Sequence, residues 1–311
     1  MELAATVAVQ VCIMFLLIVL GFIIKKCKLI TQEGSKQLSD ILLIFVTPCV
    51  VIKAYQVDFE LGLASGLLTA FIAATVINVV SILISKLIFG RDRTPRGQID
   101  QYCAAYSNCG FMAIPLLEAV LGAEGVFYGS AYLAVFNILN WTHGIYLYTQ
   151  DKKSLSLKKI LINPGVIGVV IGLALFFARI RLPGVLYTAV DYMSGLNTPL
   201  AMLLLGVFLA DVNFATALKN GRLYLVSLVR LVLVPVIGIL LLKLPFVGAA
   251  VAVAVVIPAA CPSATAAALF AAKYDLDAGY ASEIVALNTL MSIVTIPLIV
   301  ALNSLIPAFF G

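Results

Sequence analysis

The chain is 311 residues long, 63% hydrophobic and only 11% charged, with a mean hydropathy of +1.12 and a formal charge of +5. A soluble domain carries about 25% charged residues, so a soluble fold is excluded, because no compact shape hides this much apolar side chain. The basic residues lie in short loops rather than in one patch, which points to membrane topology and away from a nucleic-acid partner.

A helix needs roughly 20 apolar residues to cross a bilayer core. In chain order, hydropathy and breakers place spans at residues 4–25, 38–56, 61–89, 98–121, 125–149, 161–179, 184–210, 221–243, 246–272 and 280–307. The first run is too long for a signal-peptide core and lacks a basic leader, so it reads as a retained span. Lys25, Lys26, Lys28 and Lys36 follow span one, Arg91, Arg93 and Arg96 follow span three, and Lys152, Lys153, Lys158 and Lys159 follow span five. The alternate loops are poor in Lys and Arg. The positive loops are therefore expected in the cytoplasm, with both termini outside the cell and the protein in the plasma membrane. The six cysteines show no metal-ligand spacing and are expected as free thiols.

Sliding the chain by 151 residues lays Gly21 on Gly172, Asp40 on Asp191, Thr47-Pro48 on Thr198-Pro199, Gly97 on Gly248 and Asn137 on Asn288. Apolar coincidences carry little weight in so biased a composition, but rare Gly, Asp, Pro and Asn residues coincide inside matching spans. The expected fold is thus all-α and integral to the membrane, with ten transmembrane helices in two inverted five-helix repeats. Residues 1–150 form the first, 151–160 a short cytoplasmic linker and 161–311 the second. Inverted repeats supply two near-equivalent conformations, with a substrate site near the midplane where the halves meet.

Two spans carry breakers at depth. In span four, Gly110 and Pro115 interrupt the helix, since the proline cannot donate to the Phe111 carbonyl and its ring crowds it. In span nine, Pro258 and Pro262 do the same beside Ser263 and Thr265. Backbone groups freed at membrane depth are tolerated only where they are buried in protein or line a cavity. Helices four and nine are therefore expected to break and cross, their N-terminal ends offering partial positive charge to a carboxylate. The residues of these breaks, Asn108, Cys109, Gly110, Pro262, Ser263 and Ala264, are the candidate substrate-binding set.

Span five adds Asn137, Asn140, Thr142 and His143, with Asn137 favoured by its repeat mate and Thr142 also a candidate for the substrate. The competing reading for these is interhelical hydrogen bonding. Arg230 lies near half depth in span eight, where it either attracts an anion or binds carbonyls freed near Pro235. Glu283, in the first turn of span ten, either complements the helix dipole or couples a proton. No nucleophile and base pair, phosphate loop or metal constellation is visible, so neither enzyme activity nor a cofactor is expected.

The segments SNCGFMAIPLLEAVLG, NILNWTHG, NPGVIGVVIGLAL, TPLAMLLLG, VRLVLVP and CPSATAAALFAAKY, in this order and spacing, resemble the auxin efflux carrier family, which includes plant PIN-FORMED carriers and bacterial malate or malonate permease-like proteins. The resemblance covers the whole chain. It implies a transport unit of spans three to five and eight to ten moving in an elevator-like manner against a scaffold of spans one, two, six and seven. It also implies Asn108 against the substrate carboxylate, Asn137 as a substrate-facing polar residue, and Pro115 and Pro262 as crossover prolines. The chain departs from the plant carriers in its short central loop and in Thr142, where they carry a larger aromatic hydroxyl.

The expected function is secondary transport of a small organic anion, with the anion and the lipid bilayer as partners and the homodimer left open. The alternatives are a sodium-coupled symporter similar to the bile-acid carriers, a channel, and a membrane sensor that keeps the fold without turnover.

Overall fold

The computed structural model describes residues 2–151, 162–243 and 247–306, and every regular element among them is a helix. Nearly all of the 151–160 linker, with its four lysines, lies outside the described residues. Inside a bilayer each backbone N–H and C=O must be satisfied by the segment itself, which leaves the helix as the form open to these apolar runs. The elements are α1 (Glu2–Lys26), α2 (Gln32–Ala54), α3 (Leu61–Phe89), α4 (Pro95–Ala105), α5 (Cys109–Thr149), α6 (Pro164–Phe177), α7 (Gly184–Leu209), α8 (Gly221–Leu242), α9 (Ala249–Ala260), α10 (Ala266–Lys273) and α11 (Ala278–Leu305). Their starts follow from local chemistry. Thr94 accepts from Gly97 N at 3.2 Å with Pro95 at the first helical position, Asn163 accepts from Val166 N at 3.2 Å ahead of Pro164, and Asp277 accepts from Tyr280 N at 2.9 Å.

Seven stretches among the described residues are long and apolar enough to cross a membrane: α1, α2, α3, α5, α7, α8 and α11. The sequence leads one to expect ten, and the difference has physical causes. Expected spans six and nine appear as the shorter apolar helices α6 and α9. Expected spans four and five both fall in α5, which is two helical segments meeting at a sharp kink at Gly122, where the two spans are expected to part. Gly122 has φ +61° and ψ −146°, a conformation open to glycine. Beyond it, the Leu117 side chain lies directly against Gly129. Twelve residues of straight helix would hold those two about 18 Å apart.

Three helices widen into a π turn just before a proline. Leu42–Val46 precedes Pro48, Cys109–Ala113 precedes Pro115 and Val229–Leu233 precedes Pro235. Each proline lacks the N–H that would close the turn and pushes away the carbonyl four residues back, and the helix accommodates the ring by adding a residue to the turn. A fourth π turn, Asn140–Gly144, has no proline and carries Asn140, Thr142 and His143.

Helices α1, α2, α6 and α7 pack on one another, and α3, α4, α5, α8, α9, α10 and α11 form a second mutually packed group, with α1 also running along α11. Glycines allow the closest approaches. Gly21 sits against the Leu203 carbonyl and Gly206 against that of Ile18, bringing the backbones of α1 and α7 together. Across the seam between the groups, Tyr55 on α2 hydrogen-bonds Ser130 on α5 at 2.8 Å. Lys53 on α2 forks to Asp191 on α7 at 2.8 Å and to Glu118 on α5 at 3.7 Å. Large apolar side chains such as Leu16, Leu68, Leu87 and Leu298 face outward, as lipid-facing residues do.

Candidate functional site

Helix α4 ends at Ala105 and the next helical turn begins at Cys109, while α9 ends at Ala260 and α10 begins at Ala266. The two gaps meet. Ser107 and Ser263 form an antiparallel bridge in which Asn108 N donates to Pro262 O at 2.7 Å and Ala264 N donates to Tyr106 O at 3.0 Å. Both helices break and meet, and the candidates Asn108, Pro262, Ser263 and Ala264 come together, but the breaks fall at Tyr106–Asn108 and Cys261–Thr265. Gly110, Pro115 and Pro258, expected as breakers, lie inside helices, where π turns or the last turn absorb them.

Breaking a helix leaves its last carbonyls without donors, so each needs a partner from elsewhere. At the end of α4, Cys103 O accepts from the Ser263 hydroxyl at 2.7 Å, and Ala104 O and Ala105 O accept from the Arg230 guanidinium at 3.5 and 2.9 Å. At the end of α9, Ala259 O accepts from the other terminal nitrogen of Arg230, and Pro258 O accepts from Cys261 N at 3.3 Å. Arg230 is completely buried. It binds carbonyls, as one of the two sequence readings has it, but they belong to the two broken helices rather than to the neighbourhood of Pro235.

The N-terminal ends differ. Asn108 stands at the head of the π turn that opens α5, with φ −79° and ψ 52°, and makes no side-chain cap. Its side chain is 4% exposed and its amide nitrogen has no hydrogen-bond partner. Gly110 is partly exposed, and a side-chain carbon there would meet only Leu133, at 3.9 Å. Cys109 is buried, and Pro115 sits one residue past the π turn. The site thus combines satisfied C-terminal carbonyls with a buried donor at a helix N-terminus, an arrangement suited to an anion.

Side chains from α5 and α11 flank the crossing. Asn288, fully buried, donates to Ser263 Oγ at 2.6 Å. Tyr132, also buried, lies beside Arg230 and Ser107. Ser107 and Ser263 are 156 residues apart, and a shift of 156 exchanges the two bridge bonds and carries Tyr132 onto Asn288. This spacing at the bridge differs by five residues from the 151 read in the sequence, and Asn137 and Asn288 have different surroundings. The Asn137 amide donates to Leu133 O at 2.9 Å on its own helix and lies against Gly165 of α6. Since Leu133 faces Gly110, Asn137 stands one turn along the same helix from the open side of the site. Thr142 turns its hydroxyl back to Ile138 O at 2.7 Å. In the π turn, Asn140 accepts from Tyr102 OH at 2.5 Å and His143 hydrogen-bonds Tyr106 OH at 2.9 Å.

Glu283 lies away from the crossing, accepting from the Thr216 hydroxyl at a cleft of about 370 Å³ shared with Arg96, Asp277 and Tyr280. Nearby, Arg222 binds both Asp92 and the buried Asp100, Tyr280 OH donates to Asp100 at 2.8 Å, and Arg96 pairs with Asp277 at 3.2 Å. This network ties the α3–α4 loop, α4, α8 and α11 together. The Thr94 hydroxyl and Arg222 hold the Asp92 carboxyl down to about 2. Among the described residues no cluster of His, Cys, Asp and Glu gathers to hold a metal.

Sequence reasoning missed Tyr132, Tyr106 and the Asp100–Arg222 pair. Tyr132 is the one with a usable signal, since allowing a five-residue slip in the repeat brings it onto Asn288.

The model of the family described as membrane transport protein matches residues 6–300. An uncharacterized transporter of Methanothermobacter thermautotrophicus is 27% identical over 293 residues, covering 91% of this chain and 93% of its own. An uncharacterized transporter of Methanocaldococcus jannaschii is 22% identical over 302 residues, covering 93% and 96%.

Proposed function

The chain belongs to the membrane transport protein family, the auxin efflux carrier group, and from that premise we propose that it is a secondary transporter of a small organic anion working by elevator-like alternating access. The observation that carries the reading is the unpartnered, buried amide of Asn108 at the head of a half-helix. Each half-helix N-terminus is worth roughly +0.5 charge. The two facing the crossing, those of α5 and α10, together present about one positive charge, and Asn108 adds a donor to fix a carboxylate oxygen. Gly110 leaves the substrate room beside Leu133.

In this reading α1, α2, α6 and α7 are the scaffold, and the second packed group moves against it. The ten crossings form two inverted halves, 1–150 and 161–311, with a slip of five residues between them by the crossing. The positive loops face the cytoplasm, the termini lie outside, and the bilayer is the plasma membrane. An anion leaving a cell that is negative inside gains about 2.3 kcal/mol per charge per 100 mV, so efflux runs without a coupled ion.

The test is uptake of labelled malate, malonate and indole-3-acetate into liposomes holding the purified protein, under imposed pH, sodium and voltage gradients. Saturable flux of one anion that is lost in Asn108→Ala is the expected outcome. Flux indifferent to Asn108 places the substrate elsewhere, and flux that does not saturate with concentration points to a channel.

A further inference from the structure

A broken helix buried in a membrane needs positive charge at its C-terminal end, and transporters with such helices commonly satisfy this with a bound sodium ion or a proton. Two such ends converge here, those of α4 and α9, each equivalent to roughly −0.5 charge. Both are already occupied by one side chain. The two terminal nitrogens of Arg230 reach opposite helices, one to Ala104 O and Ala105 O and the other to Ala259 O. The guanidinium's single positive charge equals what the two ends require, and its planar fork fits two acceptors on different segments. The Ser263 hydroxyl takes Cys103 O, and the bridge takes Tyr106 O and Pro262 O. These six carbonyls are thus engaged, and a hard cation needs several oxygens around it.

We infer that Arg230 is a tethered cation standing where a coupling sodium ion or proton would otherwise sit, so that the crossing holds its substrate without co-binding sodium. An arginine does not give up its proton in proteins, so this position cannot cycle a proton either. The inference rests on the transport reading for its consequence, the absence of sodium coupling. The assignment of the cation position rests on geometry alone.

The experiment is therefore a stability measurement that needs no substrate. The melting temperature of the purified full chain in detergent is followed in sodium, potassium and choline chloride at equal ionic strength, for the parent, Arg230→Lys and Arg230→Ala. The parent is expected to melt at the same temperature in all three salts. Arg230→Ala is expected to melt several degrees lower and to recover part of the loss in sodium or in low-millimolar methylguanidinium, but not in choline. Arg230→Lys should fall between them.

A saturable, sodium-specific rise in the parent overturns the inference, as does an Arg230→Ala protein that melts with the parent. Should Arg230→Ala not fold, the parent and Arg230→Lys decide. A lysine variant as stable as the parent would show that the fork is not needed, which also overturns it. Failure of anion flux in liposomes would remove the transport reading and leave these melting results standing.

Discussion

The two helix breaks share a backbone and differ in their side chains. Each lends one N–H and one C=O to the bridge, so that Tyr106–Asn108 and Pro262–Ala264 are interchangeable in the main chain. Around the second break Ser263 donates to Cys103 O and accepts from the amide nitrogen of Asn288 on a neighbouring helix, whose amide oxygen alone is left unpaired. Around the first, the Asn108 amide nitrogen is buried and unengaged, and Gly110 faces open space. A symmetric backbone thus carries unlike side chains, and in the proposed reading the second break holds the crossing together while the first receives the substrate.

The comparison is most exposed to a pair of substitutions. Asn108→Ala should lower saturable flux about ten- to a hundredfold, matching the loss of a hydrogen bond to a charged group worth about 1.5–3 kcal/mol. It should leave the melting temperature unchanged or slightly raised, because the buried donor it removes has no partner to lose. Ser263→Ala should do the reverse. Cys103 O and the Asn288 amide would both be stranded, destabilising the protein by about 1–3 kcal/mol for each group left unsatisfied, with a smaller effect on flux in the protein that folds. If the two variants show the same balance of flux and stability, the division of labour is wrong.

A third prediction lies outside both breaks and sharpens the contrast with them. Because Asp92 is held near 2 in the folded chain, below the ordinary carboxylate value, its contribution to stability is complete above that ordinary value and is lost as pH falls through about 2. The parent's melting temperature should therefore fall between about pH 4 and pH 2, and Asp92→Asn should start lower and show a shallower fall, with flux per folded molecule unchanged at neutral pH. The smallest effect is expected at Thr142. Its hydroxyl bonds its own helix backbone, and Thr142→Ala should alter substrate half-saturation by no more than about twofold.

What was legible in the sequence follows from how local the physics is. Pro262 falls in the second break, whereas Pro258 lies inside α9 and Pro115 inside α5 just after a π turn, because a missing N–H can be absorbed within one turn as well as end a helix. Arg230 stands out because a charge at half depth needs a reason. Its partners were not legible, since the carbonyls it binds are set free by breaks about 125 and 29 residues away. The Thr-Pro and Asn coincidences point to a spacing of 151 because they fit without a gap. Nothing in an apolar helix penalises a slip of five residues on paper, and Asn288 could be assigned to Tyr132 only once its bond to Ser263 was seen. The kink at Gly122 falls between the expected spans four and five, where the Gly-containing junction is legible because it is local.

If the molecule alternates between arrangements as proposed, the fork at Lys53 adds a small bias between them. Its short limb reaches Asp191 within its own packed group, and its longer limb reaches Glu118 on the other side of the seam. Parting the seam at this end gives up the longer limb together with the Tyr55–Ser130 hydrogen bond, while the lysine keeps its nearer partner. Half-exposed pairs of this kind are worth about 0–1 kcal/mol, a bias of about fivefold at most. A latch that weak tilts a resting population without trapping it, and higher ionic strength would loosen it further.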